Sequence, residues 1–506
     1  MAIKQKKPIL IPILGLDVSS PAEYIDNRAT PNCQNVQISH NEISKRIGTS
    51  LIGANLGERI LAGREFTVEG SKYVIRIGLT KVELLNISTN TWVDITGTAL
   101  TGTDSDRVYT AVPILIDERV IVFTNGIDNI RKYTSLGNTS DLGGSPPKAK
   151  FIQEYGDYLL LAYVYDSGLD LPMRVQWCDT GNIEEWVSGN AGYVDILEDG
   201  QNITGLALYG SYLVVHKENS IYVGYPISSA EVFQFDRKST EVGTICQATI
   251  QNLPTGEQIF LAKDGLHLFN GNTAPAIESS IQDELRTTIN PAYINKCWSI
   301  VCVELDEYWL GVPTGSNTEV DTVYKFNYKT RQCYKDYRLN TTCAFTYTKN
   351  TNISWDDEVG TWDEATGRWD DTTLSALAPI IIFGDKDGNT VQRYANYNDN
   401  GVAIDAWWES KEFEADEKGR LARWLGMRLW AKGSGITTDY SIDGGNTWVT
   451  IETSVLSGDY PSDSSPLKLY FDILSTKIRF RFRNNTIDEN FTFKQFIPEY
   501  INRELT

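Results

Sequence analysis

Four groups of side chains in this 506-residue chain have the types and spacing to do chemistry. Ser441, Asp443, Gly445, Thr447 and Trp448 fit the pattern S-x-D-x-G-x-T-W. In such a unit Asp443 accepts backbone N–H bonds, Gly444 and Gly445 permit positive φ, and Trp448 packs beneath the turn. That makes Asp443 and Trp448 structural anchors of a stable hairpin rather than reactants. Trp355, Trp362 and Trp369 fall seven residues apart, each followed by Asp, inside SWDDEVGTWDEATGRWDD. The carboxylates of this stretch could hold a hard cation such as Ca²⁺, but the ligand spacing of a calcium loop is missing. A solvated acidic loop is the plainer reading. Two Gly and dense Asp also make it a poor helix. It is expected to be a stack of tight turns, each anchored by one Trp. The loops DKDGN (385–389) and KDG (263–265) lie between apolar strands and read as hairpin turns.

No catalytic constellation emerges. There is no G-x-S-x-G elbow, no P-loop and no G-x-G-x-x-G opening a helix. The three His, at 40, 216 and 267, are scattered, and His216 and His267 sit in strand-like runs. The seven Cys form no CxxC pair, so the clustered ligands of a zinc site are missing. Buried free thiols in a reducing compartment are expected. The chain therefore reads as a non-enzyme, with no catalytic residue, metal or cofactor.

Its formal charge of −20 argues against nucleic-acid binding driven by counterion release. DNA can still pass such a surface without adhering to it. The N-terminus, MAIKQKKPILIPILGL, places basic residues before a short apolar run that carries two prolines. It reads as neither a signal peptide nor a membrane span, and no stretch approaches the length of a membrane helix.

The elements that must position these groups are strands. Residues 73–96, 119–134, 211–225, 258–270 and 380–394 are successive strand–turn–strand units. Repetition at roughly 40–50 residues is the signature of propeller blades. The expected fold is all-β. An extended arm with the first strands occupies 1–55, a β-propeller of six or seven blades occupies 56–400 with the Trp-Asp insertion at 354–371, and a β-sandwich occupies 405–506. Within the arm, Ile9, Leu10, Ile11, Ile13 and Leu14 are apolar but too broken by proline to form a core, which suits an assembly contact. In 477–483 (KIRFRFR), alternation puts Ile478, Phe480 and Phe482 on one face and basic residues on the other. The basic face is expected to meet another protein or the outer surface. The best helical stretch is 281–289.

Residues 15–53 (GLDVSSPAEYIDNRATPNCQNVQISHNEISKRIGTSLIG) have a cadence of their own: a glycine-led strand, an Asp-Asn- and Pro-rich link, an Asn-Val strand at 35–36, and an Arg-x-Gly close at 46–48. Together with YLVVHKENSIYV, IFLAKDGLHLFNG, YWLGVP, VYKFNYKT and the Trp-Asp units, this resembles the tail nozzle, or tail tubular protein B, family of short-tailed bacteriophages. The resemblance implies a structural virion protein of the phage tail, assembled in the host cytoplasm. It implies a homo-oligomeric ring of six subunits below the head-to-tail adaptor, enclosing the DNA exit channel and docking tail fibres or spikes. Genomic double-stranded DNA would pass through without tight binding. The other reading the residues leave open is a sialidase-like or glycan-binding β-propeller acting as a receptor binder, since the Asp-box pattern occurs in sialidases.

Overall fold

The computed structural model describes residues 4–5, 14–39, 42–87, 89–115, 118–227, 232–337, 340–348, 379–394, 396–415, 419–460 and 466–502. The all-β class expected from the sequence is what forms. Among the described residues the only α-helix is Gln282–Thr288, inside the stretch singled out for it.

Seven sheets follow one another along the chain. The first contains Ile60–Val68, Ser71–Gly78, Val82–Asn86 and Thr91–Asp94; the second, Tyr109–Ala111, Ile121–Thr124, Arg131–Tyr133 and Ser140–Asp141. The third contains Lys148–Tyr155, Tyr158–Asp166, Leu169–Trp177 and Gly192–Asp195; the fourth, Ile203–Tyr209, Tyr212–Lys217, Ile221–Pro226 and Phe233–Ser239. Gln251–Asn252, Gln258–Ala262 and Gly265–Phe269 make the fifth. Trp298–Cys302, Glu307–Val312, Thr322–Asn327 and Cys333–Tyr337 begin the sixth, and Thr341–Tyr347, Ile380–Asp385 and Thr390–Tyr394 the seventh. Within these runs each strand pairs antiparallel with the next, as two-sided apolar hairpins joined by Gly-, Asn- and Asp-rich turns should.

The strands that open these sheets lie side by side in chain order. Ile60–Val68 neighbours Tyr109–Ala111, which neighbours Lys148–Tyr155, which neighbours Ile203–Tyr209. The last touches the 3-10 turn Gln247–Thr249, which in turn touches Trp298–Cys302. Trp298–Cys302 lies beside Thr341–Tyr347, and Thr341–Tyr347 lies beside Ile60–Val68, so the order returns to its start. An apolar layer fills the space between neighbouring sheets. Ile77 and Phe123 lie between the first and second, Val122 and Leu161 between the second and third, and Leu160 and Val215 between the third and fourth. Trp298 and Phe383 join the sixth to the seventh, and Ile382 and Val74 join the seventh to the first. Arg107 ties the start of the second sheet to the sixth and seventh. Its guanidinium donates to the carbonyls of Asn295 (2.6 Å), Thr342 (2.8 Å) and Cys297.

Ile114–Leu115 and Glu118–Arg119 form a small two-stranded sheet, and most of the remaining strands form two further sheets over one core. One has the order Leu467–Ser475, Ala422–Gly433, Phe491–Asn502, Glu42–Lys45, Val36–Ser39, with Lys4–Gln5 added to Phe491–Asn502. The other has the order Cys33–Gln34, Ala406–Glu409, Lys477–Asn484, Gly435–Ser441, Val449–Val455. Ile478, Phe480 and Phe482 are fully buried, as the alternation in 477–483 requires. Their aromatic neighbours come from both sheets: Phe482 lies 4.9 Å from Phe493 and 5.0 Å from Phe496, and Trp408 lies 5.5 Å from Phe493. Such offset and edge contacts add to plain area burial.

Candidate functional site

The segment from Gly15 to Leu51, read from sequence as an arm and first strands, gives strands to four sheets. Gly15–Leu16 and Ala29–Thr30 extend the sixth sheet in parallel, and Gly48–Leu51 adds to the seventh, antiparallel to Thr390–Tyr394. Cys33–Gln34 and the hairpin Val36–Ser39/Glu42–Lys45 belong to the two C-terminal sheets. It acts as a strap that stitches the succession of sheets to the C-terminal pair.

Two residues of the Asn-Val and Arg-x-Gly cadence lock the strap. Asn35 adopts φ of +53°, a conformation Asn tolerates better than most residues. Its side chain donates to the Asp405 carbonyl (2.8 Å) and accepts from the Tyr337 N–H (2.9 Å) and Arg46 Nε (3.0 Å). Arg46 is 2% exposed and grips Asp399 with both terminal nitrogens, at 2.9 and 2.5 Å. Its Nε also lies 3.6 Å from Asp336, whose other cation is Lys325 at 2.6 Å. Lys325 stands 4.4 Å over the Trp309 ring. Beside it, the Glu307 carboxylate accepts from Trp309 Nε1 (2.7 Å) and from the Tyr334 hydroxyl. Burial pushes the Glu307 carboxyl up, against the pull of Lys325. A buried charge set of this kind costs more when broken than it contributes when whole.

The assembly-arm residues Ile9, Leu10, Ile11 and Ile13 lie outside the described residues, as do Trp355, Trp362 and Trp369. Leu14 is described: it is 44% exposed, and its N–H reaches the Arg28 carbonyl at 3.3 Å. Asp443 closes its turn with bonds from the Thr447 N–H (2.9 Å), Thr447 Oγ1 (2.6 Å) and Ser441 Oγ (2.7 Å). These donors hold its carboxyl well below the ordinary carboxylate range. Gly444 and Gly445 have φ of +78° and +93°. Trp448 is half-buried beneath Arg481, whose guanidinium lies 4.4 Å over the ring.

The basic face of 477–483 finds acidic partners within the chain. Lys477 pairs with Glu23 and Glu412, Arg479 with Glu409, and Arg481 and Arg483 both with Asp439. The stripe is neutralised within its own chain, because neighbouring strands and the strap bring carboxylates to it. The Asp385 loop is a turn: Asp385 accepts from the N–H groups of Asp387 (2.9 Å) and Asn389 (2.7 Å). His216 is buried against Gln258 (2.9 Å), and burial lowers its pKa to about 4. His267 bonds Asp264 and the Ala274 carbonyl. All seven Cys are buried free thiols. Among the described residues no group of three or more His, Cys, Asp or Glu could hold a metal ion. Among them, too, no helix is long and apolar enough to cross a membrane.

Sequence reasoning missed a cavity of about 650 Å³ where the opening strands of the second, third and fourth sheets begin. Tyr109, Phe151, Tyr163 and Tyr165 supply aromatic surface, and Asp106, Asn125, Asp170, Asn202 and Glu218 are polar lining. Lys150 is exposed, with its ammonium 5.6 Å from the Phe151 ring and 5.2 Å from the Tyr163 ring. Tyr163 has φ of +56° at a register shift between Tyr158–Asp166 and Leu169–Trp177. A bulky residue in that conformation is strained, and a shifted register re-aims its side chain. Burial, and then the Asp170 carboxylate, push the Tyr163 phenol up. Only the Pro172 that interrupts the strand LDLPMRVQW marked this irregularity in the sequence.

No family model matches the sequence, and no curated protein matches it. Among solved structures, Raptor from Chaetomium thermophilum is similar at 10% identity with a TM-score of 0.40, covering 69% of this chain and 29% of that one. PorZ, a surface component of the type-IX secretion system of Porphyromonas gingivalis, is similar at 9% identity with a TM-score of 0.35, covering 79% and 46%. An exo-β-1,3-galactanase from Phanerochaete chrysosporium gives 8% identity and a TM-score of 0.29, covering 89% and 100%. The chain spans less than half the length of the first two. Likenesses this distant say nothing about what this chain binds or does.

Proposed function

We propose that this chain is a non-enzymatic structural subunit of a bacteriophage tail, a nozzle protein that forms a ring below the head-to-tail adaptor. In this reading the seven sheets are the blades of a seven-bladed β-propeller closed by Gly48–Leu51, and the C-terminal pair is a β-sandwich. The observation that carries it is the strap. The stretch at 15–53 bears the resemblance to the nozzle family, and its Asn35 and Arg46 hold sheets and C-terminal pair together as one body. A subunit that transmits load between an adaptor and fibres needs such a link. The −20 charge suits a wall past which double-stranded DNA slides without being held. Six subunits, the adaptor, the fibres or spikes, and location in the virion tail all belong to this proposal.

The native mass of the purified full-length chain tests it. A closed oligomer of about six copies that binds duplex DNA weakly at low salt is the expected result. A monomer, or tight and salt-sensitive DNA binding, would contradict the proposal.

A further inference from the structure

The geometry points to a binding site for an acidic saccharide in the cavity bounded by Lys150, Tyr163, Tyr165 and Asp170. Three features of the cavity specify the ligand. The first is charge. In a chain of net −20, Lys150 forms no ion pair among the described residues, and its ammonium stands 5.6 Å from the Phe151 ring and 5.2 Å from the Tyr163 ring. Arg107, which also lines the cavity, directs its guanidinium to backbone carbonyls rather than to an acid. Lys150 is therefore a cation without an ion-pair partner among the described residues, in a lining that also holds Asp106, Asp170 and Glu218. One carboxylate on a ligand would meet Lys150 in a charge-assisted bond.

The second feature is the aromatic surface. Tyr165 is 48% exposed, and the re-aimed Tyr163 lies in the same cavity. Flat rings take the C–H face of a pyranose. Backbone strain of the kind Tyr163 carries is found where a side chain is held for binding.

The third feature is the polar lining. Asp170 and Asn202 are exposed, and Asp106 and Glu218 stand with them around the cavity. An apolar acid would strip water from these acceptors and give nothing back. A ligand rich in hydroxyl donors satisfies them. The same carboxylates repel a polyanion such as DNA, so a single acidic group on a polyhydroxylated ring is selected. A volume of about 650 Å³ accommodates a short oligosaccharide.

This inference does not rest on the ring reading, since the cavity lies within one chain. The test is calorimetric titration of the full-length protein with a trisaccharide ending in glucuronate and with its neutral twin ending in glucose. The acidic form is expected to bind at least tenfold more tightly, with an advantage that shrinks as salt rises. Lys150→Ala should erase that advantage, Lys150→Arg should retain most of it, and Tyr165→Ala should weaken both sugars several-fold. Lys150 is exposed, so Lys150→Ala should keep the wild-type unfolding midpoint. Equal affinity for the two sugars, binding of neither, or unchanged acid preference in Lys150→Ala would overturn the assignment.

Discussion

The second to fifth sheets and the C-terminal pair are built in opposite ways. In those four sheets every strand pairs with one close by in the chain, several of them through short turns. In the C-terminal pair, Cys33–Gln34 pairs with Ala406–Glu409, and Glu42–Lys45 with Phe491–Asn502. Local pairing lets each hairpin carry its own instructions in its turn. Non-local pairing must be specified by something else, and here it is a strap whose buried Asn35 and Arg46 find their partners on distant strands and turns. The contrast teaches that chain order alone can assemble most of the sheets, while the union with the C-terminal pair hangs on a few residues near the N-terminus.

The sharpest way to break this contrast is to remove the strap. Deleting residues 1–51 takes strands from four sheets and is expected to abolish cooperative unfolding, read by denaturant titration. Deleting residues 1–14 should instead leave a folded chain that fails to assemble. If both truncations fold alike, the strap is not what joins the two regions.

A point substitution makes the same test more gently. Arg46→Ala leaves Asp399 and Asp336 without their buried guanidinium and should cost about 3–5 kcal/mol. The loss should appear first in the C-terminal pair, as earlier amide exchange in Phe491–Asn502 than in Tyr158–Asp166. Uniform destabilisation across both would show that the regions unfold as one unit.

The local sheets have their own handle in acid. Burial pushes the Asp199 carboxyl up, but the ion pair with Lys217 and the bond from Ser220 outweigh it, so its pKa falls from 3.8 to about 2. A carboxylate depressed in the folded state stabilises above its unfolded pKa, and that stability is lost as pH drops from about 3.8 through about 2. Asp199→Asn should flatten this part of the acid-unfolding curve and leave the region above pH 5 parallel to wild type. An unchanged acid limb would remove Asp199 from the account.

The smallest effect is expected at the hairpin tip of the C-terminal pair. Asp443→Ala removes the acceptor of the Thr447 N–H and should speed amide exchange at Thr447 without moving the global midpoint. A shifted midpoint would make that turn part of the core rather than its rim.

What was legible in the sequence follows the same division. The hairpins of the first, second, fourth, fifth and seventh sheets announced themselves, because turn residues and apolar runs sit together in the chain. The strand alternation of 477–483 and the turn of Asp443 were legible for the same reason. The partners of the strap were not, since nothing local says that Cys33 faces Trp408 or that Arg46 meets Asp399. The partners of the basic stripe were illegible on the same account: its carboxylates come from Glu23, Glu409, Glu412 and Asp439, on other strands and turns. The cavity at Lys150 was illegible because its lining gathers from several sheets, and the strain at Tyr163 depends on how two strands fall out of register.

The claim that most needs a direct test is that this chain forms a ring around a passage. Electron-microscope projections of the purified full-length protein would show it. End-on views with about six repeats around an open centre, far larger than one chain, are the result expected. Compact single particles the size of one chain, with no central opening beyond that of seven packed sheets, would contradict it.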